Sequence, residues 1–202
     1  MAAATPTSPA SRPRKRNSAA APKPSFVTRN GRRYHNNESV PYCLPCDVRE
    51  LSRQTLWHEL NRELWGGYSS IDFTTEKIPD RVLEVGCGSG LWSACMADEF
   101  AKMGRPDVQF VGIDLVDIHM DMQGVDFQFV KHDFVAHSLP FADGSFDFVF
   151  SRDVMMCYPA KNMYQDIVGE VLRITKPGGL IEIQCSTAAL CLPSSHTHRP
   201  WG

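Results

Sequence analysis

The first 33 residues contain no aspartate or glutamate, although they carry eight lysines and arginines. All 23 acidic residues lie beyond them, together with thirteen basic ones. A segment near +8 therefore precedes a body near −10, with histidine counted as neutral. That acidic body excludes a dedicated DNA- or RNA-binding protein, because such proteins gain affinity by neutralising phosphates. Also missing is any apolar run near the ~20 residues that cross a bilayer, and no secretory signal pattern opens the chain. An intracellular protein with reduced thiols and no membrane partner is expected. The seven cysteines, an odd number, are scattered at Cys43, Cys46, Cys87, Cys95, Cys157, Cys185 and Cys191. Cys43 and Cys46 have the spacing of half a zinc site, but no second Cys-x-x-Cys or close Cys/His pair completes it. His196 and His198 lie far along the chain. No metal is expected.

The basic segment is rich in Ala, Ser, Thr and Pro, with Pro6, Pro9, Pro13, Pro22 and Pro24 breaking any helix. Such a composition cannot bury a core, so residues 1–38 are expected to form a disordered tail. Within it, Arg12-Pro13-Arg14-Lys15-Arg16 fits a nuclear-localisation signal and equally a solubilising basic run. The prolines argue against a mitochondrial presequence. The expected location is cytoplasmic or nuclear.

What the chain has is a strand running into a glycine-rich turn. Val82, Leu83 and Val85 suit a strand buried on both faces of a parallel sheet. Gly86, Gly88 and Gly90 then permit a tight turn and a close backbone approach to a ligand. Leu91 to Phe100 follow with helical spacing, which points free N–H groups into the same space. A nucleotide-cofactor pocket is one reading of this pattern, and an ordinary strand-to-helix turn is the other. A dinucleotide fingerprint would need a third glycine where Leu91 stands.

Three further strands are predicted downstream, at 108–114, 127–131 and 146–150, and a fifth at 180–184. The first ends in Asp114, where the acid of a βαβ nucleotide site accepts from both ribose hydroxyls. Asp117 and Asp121 are ordinary loop acids. The second strand runs into His132, Asp133 and Phe134, and His132 reads as a sheet-end histidine. Asp143-Gly144 supplies turn chemistry before the next strand. Ser151-Arg152-Asp153 ends that strand, at the edge where open α/β sheets hold ligands. Ile167, Val168, Val171, Leu172 and Ile174 mark an amphipathic helix, stopped by Lys176-Pro177-Gly178-Gly179.

The glycine spacing preceded by Glu84 resembles motif I of the class I methyltransferases, which bind S-adenosylmethionine (SAM). The Leu139-Pro140-Phe141 to Phe146-Asp147 stretch and the helix–Lys-Pro-Gly-Gly–strand stretch are similarly family-typical. The resemblance covers residues 80–185 in order. It implies an α/β fold, a doubly wound Rossmann-like sheet with helices on both faces. It also implies SAM as cofactor, contacted by Glu84, Gly86, Cys87, Gly88 and Gly90 in the first turn. Asp114 and Leu115 would hold the ribose, Asp133 and Phe134 the adenine, and Ser151 would close the site. A carboxylate at Glu84 suits the positive charges of SAM, where a pyrophosphate would want none.

Upstream, Asp47 and Glu50 have capping-box spacing, Leu56, Leu60 and Leu64 share a helical face, and Gly66-Gly67 ends the helix. The segment 42–67 resembles the helix that precedes the fold in fungal SAM-dependent methyltransferases, a group that includes regulators of secondary metabolism. The resemblance implies that residues 39–79 cap the cofactor site, with Trp65 and Tyr68 near the ligand or merely packed. Residues 80–186 form the core and 187–202 an irregular tail. That tail carries no strand pattern, so the last helix and strand hairpin of the seven-strand fold are expected to be missing. The strand at 180–184 would then be an exposed edge, open to self-association.

SAM carries an activated methyl, so transfer requires positioning above all. A general base is needed only for some acceptors, and Asp153, Tyr158 and His58 are candidates by position alone. Three functions stay open: a methyltransferase acting on a small-molecule or protein acceptor, a truncated and inactive SAM-binding or interaction protein, and a dinucleotide oxidoreductase.

Overall fold

A computed structural model describes residues 25–38, 40, 42–74, 76–135, 138–154 and 163–185. The basic run Arg12–Arg16, Cys157, Tyr158, Cys191, His196, His198 and the tail 187–202 lie outside the described residues.

Strands buried on both faces build one parallel sheet. β3 (Arg81–Val85), β4 (Gln109–Asp114), β5 (Phe127–Lys131), β6 (Phe146–Arg152) and β7 (Thr175–Gln184) align in the order β5-β4-β3-β6-β7, every pair parallel. The chain reverses its direction of growth between β3 and β6, where doubly wound sheets leave a crevice. α2 (Leu91–Lys102) and α3 (Met163–Ile174) cover opposite faces. Val82, Phe110, Phe148 and Phe150 meet Trp92, Met96 and Phe100 of α2 on one face. Leu83, Val85, Val111, Ile113 and Val149 meet Ile167, Val171 and Ile174 of α3 on the other. The α/β fold and its two covered faces are as expected.

One strand detail differs from expectation. β7 starts at Thr175, which pairs with Phe146, before a register shift lets Leu180 pair with Phe148. The Lys-Pro-Gly-Gly segment is therefore a bulge inside the strand, and not a break before it. Among the described residues β7 is an edge, with Ile183 41% exposed.

The expected disordered tail yields to structure at its end. β1 (Phe26–Arg29) and β2 (Arg32–His35) form an antiparallel hairpin closed by Asn30-Gly31. Both turn residues take positive φ, at 50° and 72°, which is the requirement of a tight two-residue hairpin turn. Composition pointed to disorder here; the Asn-Gly dipeptide between β-formers was the local signal that outweighed it.

α1 (Val48–Trp65) starts at Asp47, whose side chain accepts from the Glu50 N–H at 3.1 Å, and ends at Gly66 in the left-handed conformation. Only half of the capping box forms, because the Glu50 carboxylate turns to Arg53 instead. Asp47 also accepts two hydrogen bonds from the Arg32 guanidinium, at 2.7 and 2.8 Å, and one from the Arg33 N–H. It thus ties the hairpin to the helix. Asp47→Ala is expected to lower the melting temperature and to speed amide exchange across residues 26–35. Unchanged exchange there would show that the hairpin is held by other contacts.

α1 is amphipathic in an unexpected sense. Leu56, Leu60 and Leu64 do share a face, but that face is exposed, while Glu50, His58 and Asn61 are buried. The inward face lines a polar site, so polar residues go inward.

Candidate functional site

The carboxyl ends of β3, β4 and β6 and the loop after β5 open into one cavity of about 460 Å³, within the range of small-molecule sites. α1 and the residues between the hairpin and α1 roof it. The turn after β3 makes its floor. Gly86 has φ +72°, and a Cβ there would lie 2.5 Å from Val154 Cγ2, so only glycine lets this turn press against the end of β6.

Of the residues the resemblance assigns to the cofactor, Glu84, Gly86, Cys87, Gly88, Asp114, Leu115, Asp133 and Phe134 line this cavity. Gly90 and Ser151 do not. Gly90 is the N-cap of α2, with φ 74° and Met122 packed where a Cβ would go, so its role is in the helix start. Ser151 is buried within β6, paired with Val85 and Ile183. Strand alternation puts it on the α3 side with Val149, whereas Arg152 follows Phe148 and Phe150. The cavity wall therefore takes Arg152.

Each acid is held by backbone or side-chain donors. Asp114 accepts from the Gly88 N–H at 2.9 Å on one oxygen and from the Val116 N–H at 3.0 Å on the other. Burial raises its pKa, and these backbone donors pull it back. Asp133 accepts from the Asn37 amide at 2.7 Å and from the Val135 N–H, so the segment after the hairpin braces it. Glu84 uses Oε2 for the Ser93 hydroxyl at 2.6 Å and the Ser93 N–H at 3.3 Å. Among the described residues nothing donates to its Oε1. Burial pushes Glu84 up to about 7, opposed by the Ser93 hydrogen bond and the charge of Arg152. The Cys87 thiol is also pushed up by burial.

The α1 side holds residues the sequence reading missed as wall: Arg53, Gln54 and Trp57, with His58 beside them. The Gln54 amide oxygen packs over Gly88. Trp57 Nε1 donates to Asp153 at 2.9 Å, and Asp153 holds a left-handed φ of 57°. His58 Nδ1 accepts from Arg152 at 2.8 Å, so its proton sits on Nε2, which has no partner among the described residues. Burial and the Arg152 charge bring His58 down to about 4. With Nδ1 engaged by Arg152, the ring has no free lone pair to accept a proton. The signal was present: Glu50, Gln54, Trp57, His58 and Asn61 recur at three- and four-residue spacing. Trp65 is half exposed and Tyr68 stacks on His58 one layer behind the wall, so neither lines the cavity. His132 bonds the Ser138 carbonyl, a sheet-end role.

Glu84 carries a pH prediction. Its folded pKa, about 7, exceeds its unfolded value of 4.5, so the native chain binds the extra proton. The stability from that proton is full below the unfolded pKa and is lost as pH rises through about 7. His58, lowered in the fold, slopes the other way as pH falls from 6.5 towards 4. Glu84→Gln isolates the first effect: its melting temperature should gain on the wild type as pH rises from about 5 to about 8. A constant difference across that window would refute the assignment.

Residues 82–179 match the model of a family described as a methyltransferase domain. The secondary metabolism regulator laeA of Coprinopsis cinerea is 29% identical over 184 residues, covering 85% of this chain and 44% of that protein. The protein-methionine methyltransferase laeA of Emericella nidulans is 33% identical over 93 residues, covering 46% of this chain and 23% of that protein. The chain thus spans less than half the length of both relatives. A SAM-dependent methyltransferase of Methanosarcina mazei superposes with TM-score 0.41 at 23% identity, over 55% of this chain and 54% of that one.

Proposed function

We propose that this chain transfers a methyl group from SAM to a small-molecule or protein acceptor entering beside the end of β6, a reading supported by the match of residues 82–179 to a methyltransferase-domain family. The observation that carries this reading is the row of acids along one cavity edge: Asp133 after β5, Asp114 on β4 and Glu84 on β3.

The residues present fit the cofactor. Each Asp114 oxygen takes one backbone N–H, which leaves a lone pair on each for a ribose hydroxyl. Asp133 would accept from the adenine amino group and Phe134 would lie against the ring. Glu84 Oε1, with no donor of its own among the described residues, suits the ammonium of the amino-acid end. When bound, SAM supplies a methyl already activated by its sulfonium. The chain's part is to hold and orient, and positioning of this kind can contribute roughly 7–11 kcal/mol of a barrier. α1 roofs the cavity against water. Trp57 fixes Asp153 and His58 fixes Arg152, so two charged groups beside the acceptor's entry are held in place. The name of the Emericella relative supports a protein acceptor within this proposal. Nuclear import through Arg12–Arg16 and chain pairing along β7 also belong to it. Among the described residues no helix is long and apolar enough to cross a membrane.

Calorimetric titration of the chain with SAM, S-adenosylhomocysteine and NADH tests the cofactor site. Binding of the first two and not of NADH is expected. Binding of NADH alone would overturn the reading in favour of an oxidoreductase, against which the start of α2 at Leu91 already stands. Formation of S-adenosylhomocysteine with candidate peptide and small-molecule acceptors then tests transfer.

A further inference from the structure

Two arginines line the cavity, Arg53 and Arg152. Arg53 is already neutralised: its guanidinium grips both oxygens of buried Glu50, at 2.6 to 3.0 Å. Arg152 is not. Among the described residues its guanidinium hydrogen-bonds only the His58 ring and no carboxylate is within ion-pair distance, while its guanidinium carbon lies 5.9 Å from the Phe150 ring centre. Burial lowers the Arg152 pKa, and the charges of Glu84 and Asp153 offset this only from beyond contact distance, so a largely desolvated guanidinium is costly unless a ligand completes it.

Its place on the sheet says which ligand. In the order β5-β4-β3-β6, the cavity edge reads Asp133, Asp114, Glu84 and then Arg152. Three acids precede one cation. If Asp133 takes adenine and Asp114 ribose, a reading this step rests on, the ligand runs across β3 towards β6. Its amino-acid end then lies between Glu84 and Arg152, the two opposite charges that an ammonium and a carboxylate require. A guanidinium is suited to this because it can bind a carboxylate through two parallel N–H donors.

We propose that Arg152 binds the carboxylate of the cofactor's amino-acid end, and that His58 acts as a positioning residue that holds the guanidinium for it. His58 suits that role: neutral, it accepts from Arg152, whereas protonated it would repel it. Tyr68 stacks on its ring, at 5.1 Å between centroids, and keeps it from turning.

The test uses two ligands that differ at the carboxylate. S-Adenosylhomocysteine carries it, and the decarboxylated homologue keeps the amine and adenosine. Wild-type chain is expected to bind the first about 10- to 100-fold more tightly, the range of charge-assisted hydrogen bonding. Arg152→Met should bring the two affinities together by weakening only S-adenosylhomocysteine, and the unchanged homologue shows that the variant is folded. Arg152→Lys, which keeps a charge without the fork, should retain part of the preference and serves if the methionine variant unfolds. His58→Leu should reduce the preference without touching homologue affinity, an effect that general loosening of α1 would not produce. Equal wild-type affinities, or a full preference in both Arg152 variants, would overturn this assignment while leaving the cofactor site intact. Failure of the wild type to bind either ligand would overturn the cofactor reading and the assignment with it.

Discussion

Asp114→Ala is expected to weaken S-adenosylhomocysteine binding by 100-fold or more while leaving a folded chain. The two ribose hydroxyls would each donate to this carboxylate, and hydrogen bonds to a charged group are worth about 1.5–3 kcal/mol each. Two of them at the lower bound give about 3 kcal/mol, roughly a hundredfold in affinity. The substitution also frees the Gly88 and Val116 N–H groups that Asp114 holds at 2.9 and 3.0 Å, so the floor of the cavity loses an anchor. Asp114→Asn separates the two contributions. Its amide oxygen can still hold one backbone N–H, while its NH2 group cannot accept from a hydroxyl. Titration calorimetry reads both variants. An alanine variant that binds within about threefold of wild type would place the ribose elsewhere, because even one lost bond to a charge costs more.

Phe148→Ala is expected to be the most destabilising single change, at about 3–5 kcal/mol for a fully buried phenylalanine. Phe148 is 0% exposed on β6, between β3 and β7. Its ring meets Phe73 at 5.5 Å and Trp92 at 5.9 Å, centroid to centroid. No neighbour can collapse into the gap cheaply, since Trp92 is itself stacked on Phe150 at 3.7 Å and bonded through Nε1 to the Tyr68 carbonyl. For a chain of this length the loss corresponds to roughly 10 °C in melting temperature. Leu172→Ala, on the exposed side of α3, is the control and should shift it by little. Urea midpoints for the two variants check the contrast. Equal midpoints would mean that the aromatic layer is not the core.

The structure departs from expectation at the cavity edge and in the tail. Ser151 and Gly90 fit the ligand by motif position, yet one faces the α3 side of the sheet and the other starts a helix. Motif spacing gives distance along the chain and not side-chain direction. Residues 26–35 read as tail by composition, but Asn30-Gly31 closes a hairpin that Asp47 then fastens to α1. The leucines of α1 share one face, as their spacing indicates, but the helix roofs a polar cavity and turns that face outward.

From the sequence alone came the five parallel strands, the two glycines of the cavity floor, the three acids at successive strand ends and the ligand class they suit. The strands and glycine turn follow from residue periodicity and turn chemistry, which are properties of neighbouring residues, and the ligand class is what the family resemblance implies. Only the tertiary structure decided that His58 is committed to Arg152, that Asn37 braces Asp133, and that Trp57 reaches Asp153. Each joins residues some 94 to 96 positions apart. Charge compensation and burial depend on where the sheet and α1 meet in space, and no local spacing records that meeting.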